Sequence, residues 1–242
     1  MSEARKKGGS PKRGKIMPST KKRNYPKQEG GAPTKRAAIG KRVDLKAGTL
    51  LAPLPAVMVT VGNSERSNII TIGWCGILST DPPRAYISVR PSRYSHGMLK
   101  ENGEFVINLT TEQLAEATDY AGIYTGAKVD KFAEAGLTRV ASKEVAPPTI
   151  AESPLALECR VFQVIESGTH DIFLADIVSV SCSESILENG RIRLDKAGLI
   201  AYAHGEYFAV GERIGRFGYS TDKDKRAKRA ANKNGNKKEA KK

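Results

Sequence analysis

The densest group of chemically capable side chains is Arg90-Pro91-Ser92-Arg93-Tyr94-Ser95-His96. Two guanidiniums, three hydroxyls and an imidazole leave a β-rich run here and enter a helical one. With the free amides of a helix N-terminus, such a group suits a phosphate dianion. Local sequence leaves a second reading open, in which both arginines are solvated and Ser95 only caps the helix.

Three further segments carry chemistry-bearing residues. The run NIITIGWCGILSTDPP, from Asn68 to Pro83, holds the only tryptophan, Trp74, followed by Gly76 and a proline pair. It reads as a strand that ends in a bend with backbone amides open to a ligand, and Trp74 is either core or pocket wall. In GIYTGAKVDKF, Lys131 either supplies a point charge to an anion or lies on the surface beside a small helix. In Gly168-Thr169-His170-Asp171, His170 is either exposed in a hairpin turn or turned toward a ligand.

Metal and disulfide chemistry are not indicated. Cys75, Cys159 and Cys182 are an odd set without C-x-x-C spacing, which points to a reducing cytosol. No pair among His96, His170 and His204 has helical ligand spacing. No G-x-G-x-x-G follows a strand, so a Rossmann cofactor site is not expected.

Charge is distributed very unevenly. The formal net charge of +14 over 242 residues suggests a nucleic-acid binder. Yet residues 1–46 hold 15 basic and 3 acidic side chains, and 221–242 hold 10 and 3, which leaves 47–220 at a net −5. Both ends are poor in large apolar residues and are expected to be disordered basic tails around one domain at 47–220. No run approaches the roughly 18 apolar residues of a membrane span, and no apolar secretory core opens the chain.

The domain reads as mostly β. Runs at Leu54–Val61, Asn68–Trp74, Ala85–Arg90 and Glu104–Leu109 are rich in Val, Ile, Thr and Tyr and bounded by turn residues. Leu155–Ile165 and Ile172–Ser181, joined through ESGTH, predict an antiparallel hairpin, and LIAYAHGEYFAV predicts another around His204-Gly205. Helices are few: Ser95–Asn102 ending before Gly103, and Thr110–Tyr120, opened by a capping box from Thr110 to Gln113. Many short strands with a few helices favour a small closed or split β-barrel.

Taken in order, NIITIGWCGILSTDPPRAYISVRPSRYSH, GEFVINL, GIYTGAKVDKF, GTHDIFLADI and YAHGEYFAVGERIGRFG resemble the flavin reductase-like family of FMN-binding split barrels, over roughly residues 48–218. The resemblance implies an FMN-binding oxidoreductase, either an NAD(P)H-dependent flavin reductase or a flavoredoxin-like electron carrier. It implies FMN contacts at Asn68 and Trp74, with backbone amides between Thr71 and Gly76, Cys75 among them, near the ring. Ser95 is placed by it near the phosphate or ribityl chain, with Arg90, Tyr94 and His96 as neighbours. Lys131 and His170 follow as cofactor contacts, and Tyr202 as the late aromatic over the ring. Relatives often carry Thr where this chain has Cys75. NADH or NADPH would be the donor, and the protein a cytoplasmic homodimer without membrane contact, with a possible protein electron partner. An alternative is a flavin-fold protein whose basic tails bind nucleic acid or ribosomes; a related oxidase of a phosphorylated pyridine is less well matched.

Overall fold

A computed structural model describes residues 40–219. The expected basic tails lie outside them except for residues 40–46. A compact unit spans Leu45–Phe217.

Its strands and helices follow in chain order as β1 Leu54–Pro55, β2 Val57–Gly62, β3 Ser67–Ile72, β4 Cys75–Thr80, β5 Pro83–Val89, α1 Tyr94–Asn102, β6 Glu104–Leu109, α2 Ala115–Ile123 and α3 Lys131–Glu134. The second half adds β7 Arg139–Val140, β8 Thr149–Ile150, β9 Leu155–Ser167, β10 His170–Cys182, β11 Leu187–Glu188, β12 Arg191–Ile192, β13 Ile200–Ala203 and β14 Glu206–Ala209. Seven strands form one antiparallel sheet in the order β3-β2-β6-β9-β10-β5-β4, and β1, β13 and β14 form a smaller one.

The period-2 pattern of the strands explains how the large sheet curls. Val57, Val59 and Val61 of β2 share one core with Ile70 and Ile72 of β3, Ile87 and Val89 of β5, Phe105 of β6, Cys159 of β9 and Phe173 of β10. Strands from both ends of the sheet therefore enclose the same interior, as a split barrel requires. The alternate residues, Met58 of β2 and Ile69 of β3, pack outward under a second layer made by Leu114, Ala121, Phe132, Leu137 and Ile150. This double coverage is why every residue of β2 is buried.

The turns follow local chemistry. Gly103 ends α1 in the left-handed region at φ 64°, and its N–H donates to the Leu99 carbonyl. His204 and Gly205 both have positive φ, 52° and 89°, as a tight hairpin turn between β13 and β14 demands.

Three sequence expectations are corrected. The run from Leu54 to Val61 is divided at Ala56: β1 pairs with β13, while β2 pairs with β3 and β6, so the chain changes sheets there. The bend after β3 is confined to Gly73 and Trp74, and β4 follows at once, with Cys75 opposite Ile87 and Gly76 opposite Tyr86. Gly76 looked like a breaker, but its missing side chain has a packing reason: a Cβ there would come within 2.9 Å of the Tyr86 ring. Finally, the capping box does not form. Thr110 is buried with its hydroxyl donating to the Ala56 carbonyl, and α2 starts only at Ala115 after a single 3₁₀ turn at Glu112–Leu114.

Candidate functional site: a cavity at the barrel split

The interior opens where β3 and the end of β5 diverge. A cavity of about 560 Å³ lies there, within the range typical of small-molecule and cofactor sites. Ile70 to Trp74 form one wall, Ser88 to Arg90 with Arg93 a second, and the outer side is made by α2 and the β13–β14 hairpin.

Five of the eleven expected residues line it: Thr71, Trp74, Arg90, His170 and Tyr202. The Trp74 and His170 rings lie 4.5 Å apart between centroids, tilted by 43°. His170 is held on its other side by Thr169, whose hydroxyl is 2.9 Å from Nδ1. Partial burial and the Arg90 charge together lower the His170 pKa, favouring the neutral imidazole. Arg93 is the N-cap residue of α1, lines the same cavity and donates from its guanidinium to the Gly122 carbonyl at 3.2 Å. Two guanidiniums thus face a space walled by aromatic and aliphatic side chains. That combination suits a flat aromatic ligand carrying an anionic group.

The other expected residues are placed behind or beside these walls. Asn68 Nδ2 donates to Ser95 Oγ at 2.8 Å, and both side chains are buried. Gly126 covers Asn68 so closely that a Cβ would fall 2.1 Å from Asn68 Oδ1. His96 is buried against Asp171, with Nε2 and Oδ2 2.7 Å apart. Tyr94 Oη accepts from Arg66 Nε at 3.1 Å. The Cys75 thiol packs against the barrel core, and burial pushes its pKa up to about 12, so it stays protonated and a poor nucleophile.

Lys131 is a strut. Its ammonium is buried and donates to the Ile69 carbonyl of β3 and the Ala121 carbonyl of α2, both at 2.7 Å. With Arg93 on the next carbonyl, two cations satisfy the C-terminal end of α2, where the helix dipole is negative. The Lys131→Met variant leaves both carbonyls without this donor and is expected to lose about 2–4 kcal/mol in denaturant unfolding. Burial, and secondarily Arg93, lowers the Lys131 pKa to about 8. The native state therefore releases this proton before the unfolded chain does. The lysine's contribution is smallest below about pH 8 and grows as pH rises toward the ordinary lysine range. The wild-type minus Lys131→Met difference in unfolding free energy, followed from pH 7 to 10 or so, should rise accordingly.

Among the lining residues not selected from sequence are Arg93, Asp119, His204 and Tyr207. Arg93 stands inside the basic run and carried a signal. His204 was visible only as a turn residue, and Asp119 and Tyr207 had no local signature at all. Among the described residues no group of His, Cys, Asp and Glu is arranged to hold a metal ion, and no helix is long and apolar enough to cross a membrane.

Comparison with known proteins places this architecture. A profile described as the flavin reductase like domain matches residues 50–211. An uncharacterised protein of Archaeoglobus fulgidus is 37% identical over 131 residues, 54% of this chain and 73% of its own. An FMN reductase (NADH), RutF 2 of Methylorubrum extorquens, is 28% identical over 145 residues, 58% of this chain and 81% of its own. The structure of flavoredoxin from Desulfovibrio vulgaris superimposes with a TM-score of 0.70 at 33% identity, covering 75% of this chain and all of that one. Curled sheet, split and matched span agree: the chain belongs to the flavin reductase-like family and has its split-barrel fold.

Proposed function

We propose that the protein is an FMN-binding oxidoreductase in which NADH or NADPH reduces FMN held in the split cavity. It then acts as a flavin reductase or passes the electrons to a protein partner. The observation that carries this reading is the donor set of the cavity: Arg90 and Arg93 beside the tilted Trp74–His170 pair. FMN presents one phosphate and one flat conjugated ring, and these groups match both. The kinship with an FMN reductase and a flavoredoxin supports the same assignment.

FMN, when bound, supplies the two-electron chemistry; the chain binds and orients it. Arg90 and Arg93 would take the phosphate. The Trp74–His170 pair would border the ring on one side, with Thr71 and Tyr202 completing the walls. The Asn68–Ser95 pair, His96 and Lys131 would hold those walls in register. By resemblance the working unit is a homodimer in the cytoplasm.

Anaerobic stopped-flow mixing of the FMN-loaded protein with NADH and with NADPH tests the donor. Fast bleaching of the flavin band by either is the expected result. Bleaching by neither would remove the nicotinamide from the scheme and leave a protein electron donor.

A second reading rests on the composition of the ends, which carry 25 of the 40 basic residues. Such segments favour a polyanion, with steep salt dependence. Deleting 1–46 and 221–242 should abolish RNA or DNA retention while flavin reduction persists. Full-length protein that retains neither polymer at low salt would end this reading.

A further inference from the structure

The cavity is lined by Arg90, Arg93, His170 and His204, and Asp119 of α2 is the one carboxylate among the described lining residues. It accepts a hydrogen bond from Tyr207 Oη of β14 at 3.3 Å. Tyr207 in turn meets Tyr202 of β13 edge to face, with ring centroids 5.5 Å apart at 62°. A carboxylate set among aromatic faces attracts a flat organic cation.

We infer that Asp119, fixed by Tyr207, is the residue that receives the nicotinamide ring as that ring becomes a pyridinium cation. The inference rests on the flavin and nicotinamide reading above. In the transfer, the C4–H bond of the dihydropyridine breaks and the hydrogen leaves with both bonding electrons for the flavin. The donor ring, neutral at the start, keeps one positive charge, and the flavin gains one negative charge. A site lowers the barrier when its fixed charges match charge that develops in the transition state. Asp119 sets a fixed negative charge opposite the positive end of this separation, on the donor ring.

Asp119 lies on the exposed side of α2, so Asp119→Asn leaves the core untouched, and its amide oxygen still accepts from Tyr207. FMN-loaded wild-type, D119N and D119E proteins are titrated by flavin absorbance with 1-methylnicotinamide, a permanent pyridinium cation, and with nicotinamide, its neutral counterpart. Wild type should bind the cation about tenfold more tightly. D119N should lose that preference at unchanged FMN affinity, and D119E should recover most of it. Anaerobic reduction by NADH should slow about tenfold in D119N, whereas reduction by dithionite, which forms no pyridinium, should keep the wild-type rate. D119N protein that still prefers the cation would overturn the inference and leave the flavin and nicotinamide reading standing. Wild-type protein reduced by dithionite but by neither NADH nor NADPH would remove that reading, and this inference with it.

Discussion

Replacing Arg90 and Arg93 together by alanine is expected to weaken FMN binding about a thousandfold, since each charge-assisted contact to a phosphate is worth roughly 1.5–3 kcal/mol. Both side chains line the cavity and neither belongs to the apolar core. The double variant should therefore fold, and its FMN titration separates binding from stability. The single variants should differ. Arg93 also donates to the Gly122 carbonyl and lies close enough to Lys131 to lower its pKa, so R93A should loosen α2 as well as the phosphate site. Arg90 instead presses charge on His170, so R90A should let the His170 pKa rise toward its ordinary value, visible in the histidine ring signals by NMR.

Asp171→Ala is expected to cost about 1–3 kcal/mol, because it removes the partner of the buried His96 hydrogen bond and leaves that ring nitrogen unsatisfied. For a domain of this size that corresponds to a fall in Tm of about 2–12 °C. The carboxylate is buried beside His96 at 2.7 Å, with Lys100 Nζ at 3.4 Å. The His96 hydrogen bond, aided by Lys100 and opposed by burial, holds the Asp171 carboxyl below the usual carboxylate range. A carboxylate with a lowered native pKa contributes fully above its unfolded value, and the contribution disappears as pH falls through the native one. Acid unfolding of the wild type should show this loss below the usual carboxylate range, and D171A should not. Asp171 also pairs with Val89, directly before Arg90, and follows His170, so the same variant should displace two cavity residues and weaken FMN binding.

Asp171 marks the boundary of what the sequence discloses. The strands were legible because alternation in runs such as LALECRVFQVI reports one buried face, and the turn at His204-Gly205 because positive φ narrows the choice of residue. Trp74, Arg90 and His170 were legible as chemistry by their types and by their neighbours. Their gathering into one cavity depends on pairings far apart in the chain, such as Asp171 with Val89, that no window of sequence contains. Lys131 shows the same limit. Its charge suggested an anion, but two carbonyls from β3 and α2, 62 and 10 residues away, accept its hydrogen bonds. Asp119 on α2 is one of several acidic helix residues in sequence; only the return of β14 with Tyr207 sets it apart. The missed strand β4 followed from reading Gly76 as a breaker, when the facing Tyr86 ring gives the glycine its reason.

The net charge of +14 bears on the ends of the chain and hardly at all on this cavity, which is lined by two arginines, two histidines and one carboxylate. That local set, rather than overall basicity, is what a single phosphate and a charge-separating transfer can use.

The claim that the split cavity is a flavin site is tested most directly by the fluorescence of Trp74, the only tryptophan in the chain and a residue of the cavity wall. Titration with FMN should quench it saturably at one FMN per chain, together with a flavin band near 450 nm, roughly, that remains with the protein through gel filtration. Fluorescence that FMN leaves unchanged, with colourless protein recovered from the column, would contradict the account.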